Sequence, residues 1–282
     1  MTESKPKSLG EYQGDDRVVS SEEMMLHLSK TRTARVSVKS GIPLLDYYCD
    51  GFRDGELIAI SGKTKNGKTL LSQTLTVNFE RKGHHALWFT YEVPAHQFLN
   101  QFPEVPTIYM PMKLKFHDMN WVDERIRESF DKYRTRIVFI DHLHYLVDMA
   151  RTRNPSLEIG TIIRLLKLMA VNYEMVIFLM CHTTKGREGV ESYEDIRDSS
   201  LIAQESDSVF MVKRVPDINE NAARVRVEFH RRTGVMEKVV GLIKKDGLLF
   251  ERQLSEGELA PTAPNTYNGN GRGKYRRDHD ND

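Results

Sequence analysis

The chain has 282 residues, 39% hydrophobic and 29% charged, an ordinary globular composition with no collagen-like or coiled-coil bias. Lys plus Arg number 41 against 40 for Asp plus Glu; the formal charge of +1 therefore carries no global signature of nucleic-acid binding, and any such contact must be local. No apolar run approaches the roughly 20 residues of a membrane helix, the first residues lack the apolar stretch of a secretion signal, and Cys49 and Cys181 fall in no disulfide or zinc pattern, so an intracellular, cytoplasmic protein is expected.

Residues 1–18 are polar and are expected to be flexible. Ser20 with Glu23 three residues on is a capping-box pattern, which predicts a helix over 21–30 within a linker segment, 19–35. Met24, Met25 and Leu28 give that helix one apolar face, which must dock outside the main pattern. From residue 56 apolar runs alternate with helical segments. ELIAIS (56–61), ALWFTY (86–91), PTIYM (106–110), RIVFID (136–141) and MVIFLMC (175–181) read as strands, the third more weakly than the rest. Helices are predicted over 67–80, from Pro94, over 119–132 and over 156–172. Buried strands alternating with helices imply a parallel sheet with crossover helices. After 207 the character changes. SVFMVKR (208–214), ARVRVEFH (223–230), EKVVGLIKK (237–245) and GLLFER (247–252) are closely spaced strands, expected as an antiparallel extension on one edge. One α/β domain over 36–253 is thus expected. Residues 254–282 are rich in Pro, Asn, Gly and charge and are expected to be a disordered tail, with a basic cluster RGKYRR at 272–277.

The strongest chemical signal is Gly62-Lys63-Thr64-Lys65-Asn66-Gly67-Lys68-Thr69, a complete GxxxxGK[ST] loop between a strand and a helix. Backbone N–H groups of such a loop and the positive end of the helix surround phosphates. Lys68 reaches the β- and γ-phosphates, and the Thr69 hydroxyl sits on Mg²⁺; ATP and Mg²⁺ are the expected cofactors. Asp141 closes the apolar strand RIVFID, where an acidic residue supports the same metal. Glu92, in FTYEVP, closes another strand and is placed to deprotonate an attacking water. His182 follows MVIFLMC, and a polar group at that tip can sense the γ-phosphate.

In this order, these residues resemble the ATPase domain of DnaB-type hexameric replicative helicases, within the RecA-like P-loop superfamily. The resemblance covers about residues 36–252. SVKSGIPLLDYYCDGFRDGELIAISG is similar to that family's lead-in to the phosphate loop, YEVPAHQF to its catalytic-glutamate motif, and VFIDHLHYL to its second acidic motif. EDIRDSSLIAQESDSVFMVKR (194–214) is similar to its DNA-contacting loop and helix. FHRRTG (229–234) resembles the motif that supplies a basic finger to the neighbouring subunit. The resemblance implies a RecA-like fold and an ATP hydrolase translocating single-stranded DNA as a ring, with 5'-3' helicase polarity, in replication. It implies a catalytic set of Lys68, Glu92, His182 and Arg232, the last acting in trans. It further implies DNA contacts from Arg197, Asp198 and the backbone near Ser200, to which Lys185 and Arg187 add. Primase or a helicase loader are the implied partners, and a prokaryotic or phage-infected cell the implied setting. The family usually has Gln at His182, Lys at His230 and Gly at Ser200, and its N-terminal primase-binding domain has no counterpart in these residues. HTTK (182–185) is closer to RecA-like ATPases of the RadA and KaiC type. The alternative is therefore an ATPase that recombines or loads without unwinding.

Overall fold

A computed structural model describes residues 10, 12–14, 16–30, 36–148, 151–182, 199–255 and 258, with the side chains of Ser199 and Ser200 excepted. Helix α1 (Ser21–Lys30) forms as its capping box predicts, with the Glu23 N–H donating to Ser20 Oγ at 3.1 Å. None of its residues is buried, and Met24, Met25, Leu26 and Leu28 are exposed. Its apolar face therefore meets nothing in the chain's described residues.

The domain proper opens with a small ribbon, β1 (Ser37–Val38) against β2 (Phe52–Arg53), enclosing helix α2 (Pro43–Cys49). Pro43 at the first helical turn and the left-handed Asp50 after the last account for the ends of α2. These three short elements lie below the length at which periodicity gives a signal. Then come β3 (Leu57–Ser61), α3 (Lys68–Glu80), β4 (Ala86–Thr90), α4 (Ala95–Leu99), α5 (Met119–Tyr133), β5 (Ile137–Asp141), α6 (Pro155–Asn172) and β6 (Val176–Met180). A short helix, α7 (Ser199–Glu205), precedes β7 (Ser208–Arg214), β8 (Ala222–His230), β9 (Val235–Lys245) and β10 (Leu248–Arg252).

Among the described residues, β3 to β10 form one eight-stranded sheet in the order β10-β9-β8-β7-β3-β6-β5-β4. The five strands from β7 to β4 in that order are parallel, and β8, β9 and β10 add on antiparallel, as the change of character after residue 207 predicts. The parallel strands carry apolar side chains on both faces. Ile58 and Ile60 of β3 join one core with Phe139 and Phe178, while Leu57 and Ala59 join the other with Val138 and Ile177. A period of two on a sheet covered on both sides reads as a continuous apolar run, hence LIAIS and VIFLM. Rings fill the first core: Trp88 stacks on Phe139, and Phe139 on Phe178, each at 4.6 Å between centroids.

The strand expected at 106–110 reduces to one bridge. Tyr109 exchanges backbone bonds with the rim strand, its N–H to Ala86 O at 2.9 Å and its carbonyl from Trp88 N–H at 2.8 Å. Pro106 and Pro111 bracket the segment, and proline cannot donate to a ladder, so the segment covers the open edge of β4 without extending the sheet.

Candidate active site

Register brings the chemistry to one end of the sheet. Thr90 of β4 faces Asp141 of β5, Ile140 faces Leu179 of β6, and Ile60 of β3 faces Met180. The residues just beyond those pairs are Glu92, His142, His182 and Gly62. All lie outside the carboxyl ends of the parallel strands, where open α/β sheets bind ligands.

The loop from Gly62 to Thr69 wraps the N-terminus of α3. Gly62 has φ +144°, and a Cβ there would lie 2.3 Å from the Val212 carbonyl oxygen, so only glycine lets the loop pass β7. Gly67 caps α3 at φ +92° with no side-chain cap bond. The helix's first N–H groups are thus left open at the cleft, where an anion can take them, while the Asn66 N–H closes the loop on Lys63 O at 3.2 Å. Lys68 is buried, and its ammonium donates to Gly62 O at 2.7 Å and Lys63 O at 3.1 Å. Those carbonyls hold a cation where a phosphate would take it over.

Thr69 Oγ1 donates to Asp141 Oδ2 at 2.8 Å. Two oxygens converge there from different elements, which suits a hard divalent cation bound partly through water. Burial raises the Asp141 carboxyl to about 6; Thr69 opposes this, Glu92 adds to it, and Lys68 opposes it. A dication beside the group reverses that effect and keeps the carboxylate ionised.

Thr64, Lys65, Gly67, Lys68, Thr69, Glu92, Asp141 and His182 line a common cleft of about 600 Å³. It is the right size for a nucleotide. Glu92 is exposed at its mouth. His182 Nδ1 lies 3.2 Å from Lys68 Nζ. Burial, then Lys68 and His144, lowers the His182 imidazole to about 4. Its ring packs edge-on against His142 at 4.1 Å. Burial also takes His142 down to about 3, helped by His182, His144 and Lys68. Both rings are neutral at physiological pH.

Several lining residues escape motif reading. Gln73 Nε2 donates to Gln101 Oε1 at 2.9 Å, closing one wall of the cleft. Lys244 and Gly247 come from the β9–β10 hairpin at the far end of the chain. They are brought in by α3, whose buried Thr74 hydroxyl accepts the Leu249 N–H at 3.0 Å. A threonine among the polar residues of a helix buried on most sides is the faint sequence signal for such an anchor. His142 and His144 are visible in VFIDHLHYL only by adjacency to Asp141.

Arg232 lies at the opposite end of the sheet. The β8–β9 turn sits by the N-terminal ends of β3 and β7, since His230 pairs with Ser208 and Ser208 with Ile58. The length of β3 separates it from the phosphate loop, roughly 17 Å at about 3.3 Å per residue. Arg232 cannot serve this chain's own nucleotide. Its guanidinium instead binds Glu56 Oε1 at 2.7 Å, Asp50 Oδ2 at 3.3 Å, Cys49 O at 3.0 Å and Gly51 O at 2.9 Å. His230 is buried, and its Nδ1 accepts the Thr233 N–H at 3.3 Å, so it braces the turn from inside. Arg231 donates to the carbonyls of Ala203 and Gln204, tying this turn to the end of α7. Lys185, Arg187, Arg197 and Asp198 lie outside the described residues, as does the basic cluster 272–277. Ser200 falls in the first turn of α7.

A glycine-rich phosphate-loop pattern at the tip of β3, a carboxylate on β5 hydrogen-bonded to Thr69 of that loop and an antiparallel extension beyond β7 define a P-loop NTPase of RecA-like build. The family model for the DnaB-like helicase C-terminal domain matches residues 106–254, just over half of the chain, and that for the KaiC-type ATPase matches residues 38–107. The chain belongs to the DnaB-like helicase C-terminal domain family. The replicative DNA helicase DnaB of Helicobacter pylori strain 26695 is 24% identical over 243 residues, covering 74% of this chain and 50% of that protein. A probable replicative DNA helicase of Trieres chinensis is 22% identical over 233 residues, covering 70% and 51%. The chain thus spans about half the length of the curated relatives it matches. A solved structure of a DnaB-like replicative helicase and its interactions with primase superposes with a TM-score of 0.70 at 19% identity, covering 85% of this chain and 68% of that one. A second solved structure, that of an ATPase domain, superposes with a TM-score of 0.69 at 18% identity, covering 82% and 97%. Among the described residues no helix is long and apolar enough to cross a membrane.

Proposed function

We propose that this chain is an ATP-dependent DNA helicase motor that assembles as a ring, in the hexameric manner of its family, and draws single-stranded DNA through the centre. The observation that carries the reading is the cleft itself: Lys68, the Thr69–Asp141 oxygen pair at 2.8 Å and Glu92 share one cavity at the carboxyl end of the sheet. The Gly62–Thr69 loop would hold the triphosphate of ATP, and Thr69 with Asp141 would hold Mg²⁺. Bound there, Mg²⁺ neutralises charge on the phosphate oxygens. Glu92 orients and deprotonates the attacking water, and His182, against Lys68, reports whether a γ-phosphate is present.

Arg232, turned away from its own cleft, is suited to act on a neighbour's γ-phosphate. Closed rings arise from head-to-tail interfaces, and those put one end of a subunit against the other end of the next. Helix α1, with its uncovered apolar face, fits as the element that docks on the adjacent subunit. Arg231 links the finger turn to α7, which follows the segment carrying Lys185, Arg187, Arg197 and Asp198. Phosphate contacts from such residues hold single-stranded DNA without base preference.

The test is ATP turnover with and without single-stranded DNA, together with strand displacement on a forked duplex. The expected result is Mg²⁺-dependent hydrolysis stimulated by DNA, with unwinding. Glu92→Gln should lower turnover by about 100-fold or more while leaving the melting temperature unchanged. DNA-stimulated hydrolysis without strand displacement would instead favour a recombination or loading ATPase.

A further inference from the structure

Next to the oxygen pair of Thr69 and Asp141 stands a second, chemically different group. Glu92, His142 and His182 each offer one ligand atom, and these three atoms lie within 4.8 Å of one another. Among the described residues it is the one group of three His, Cys, Asp or Glu side chains gathered so closely. The cause is topological. Three neighbouring parallel strands end in register, and each contributes one residue at its tip: β4 gives Glu92, β5 gives His142 and β6 gives His182.

We propose that Glu92, His142 and His182 form a binding site for a zinc-class transition-metal ion, separate from the Mg²⁺ position, and that an ion bound there withholds Glu92 from hydrolysis. Ligand type decides the class. Mg²⁺ demands oxygen donors in near-octahedral order, whereas two imidazoles and a carboxylate match Zn²⁺ and its neighbours in the first transition row. Two His and one Glu is also a known three-residue zinc set, leaving a further position for water. Tetrahedral zinc ligands stand about 3.4 Å apart at bond lengths of about 2.1 Å, so the group must close from its present span. Glu92 is exposed and can swing, while the two rings are already in contact at 4.1 Å.

Two features bear on occupancy. His142 is fixed by the turn it starts, its Nδ1 accepting the His144 N–H at 3.4 Å. Lys68 Nζ sits 3.2 Å from His182 Nδ1. A metal on the cluster therefore competes with Lys68 for that ring and is favoured once Lys68 turns to a phosphate. The effect on hydrolysis rests on the reading of Glu92 as the water-activating carboxylate; metal binding itself does not.

The experiment uses the full chain and the metals alone. Titration with Co²⁺ should give one ion per chain, with d–d absorption and no thiolate charge-transfer band, and Zn²⁺ should displace it. His142→Asn keeps an acceptor for the His144 N–H while removing the imidazole. It should weaken Zn²⁺ by more than about 100-fold, since losing an outer partner alone costs about 10–100-fold. Glu92→Gln should weaken it similarly. With Mg²⁺ and ATP saturating, Zn²⁺ should slow the unaltered chain, and His142→Asn should shed that sensitivity relative to its own zinc-free rate. No stoichiometric binding, a thiolate band, or affinity unchanged in both variants would overturn the site. Binding with no effect on turnover would overturn its link to Glu92. A chain without ATP turnover would refute the motor reading, yet leave the cobalt and zinc titrations to decide the site.

Discussion

Replacing Arg232 with alanine removes a guanidinium that holds the N-terminal end of the domain together. Its shortest contact, 2.7 Å, is to Glu56, whose side chain is only 8% exposed. A charge-assisted bond of this kind contributes about 1.5–3 kcal/mol, and each carbonyl bond to Cys49 or Gly51 about 1. Two effects reduce the sum. Glu56 Oε2 keeps the Arg53 N–H at 2.9 Å, and Arg232, 25% exposed, stands at a rim where water replaces part of what is lost. A net loss of about 2–3 kcal/mol is expected, below the roughly 3–5 for breaking a fully buried pair. For a domain of this size that lowers the melting temperature by roughly 5–10 °C. Arg232→Lys keeps a charge for Glu56 but loses the fork, and should recover about half. Circular dichroism melts of the three proteins, beside ATP turnover, separate two roles. If Arg232 also serves a neighbour's nucleotide, Lys recovers that half of the stability and none of the turnover, because an arginine finger is worth about 10³-fold or more. Melting temperatures of Arg232→Ala and the unaltered chain agreeing within about 1 °C would refute the anchoring argument.

Burial raises the Glu228 carboxyl to about 7 against the opposing charge of Arg226, whose Nε stands 3.4 Å from Oε1, an ion pair without hydrogen-bond geometry. A carboxyl raised above its unfolded value of 4.5 penalises the fold increasingly as pH climbs from 4.5 to 7, and fully above 7. Glu228→Gln should therefore stabilise the chain by about 1–3 kcal/mol at pH 8 and by little at pH 4.5, read from denaturant melts; an equal effect at both would contradict this. Gly62→Ala puts a methyl against the Val212 carbonyl oxygen at a positive φ. Nucleotide affinity should fall at least about tenfold, measured with a fluorescent ATP analogue, and unchanged affinity would show that the loop passes β7 differently. Thr76→Val strips the buried Trp88 Nε1–H of its acceptor at 3.0 Å. A loss of about 1–2 kcal/mol with altered tryptophan emission is expected, and a neutral change would mean that the indole finds another partner.

The phosphate loop was fully legible in the residues, because Gly62, Gly67, Lys68 and Thr69 answer to local geometry: two backbone positions at positive φ and a helix start. The parallel strands were equally plain. A strand buried on both faces has no polar side to interrupt its apolar run. Asp141 and Glu92 could be placed at strand tips, and the structure puts both beside the loop. The segment at 106–110 misled, since its apolar residues look like a strand while its flanking prolines limit it to a single bridge.

Juxtaposition across the chain belonged to the tertiary structure alone. No spacing in the sequence says that Lys244 and Gly247 complete a cleft begun by the phosphate loop, or that Arg232 grips Glu56 at the opposite end of the sheet from that loop. Nor does any spacing say that His142 and His182 share a corner with Glu92. Those facts depend on strand order and register, which follow from how two cores pack against one sheet. Residue types and short-range patterns settled the chemistry available to this chain. Which groups of that chemistry meet was decided by long-range packing, because side chains distant in sequence come together only when the strands carrying them are ordered beside one another.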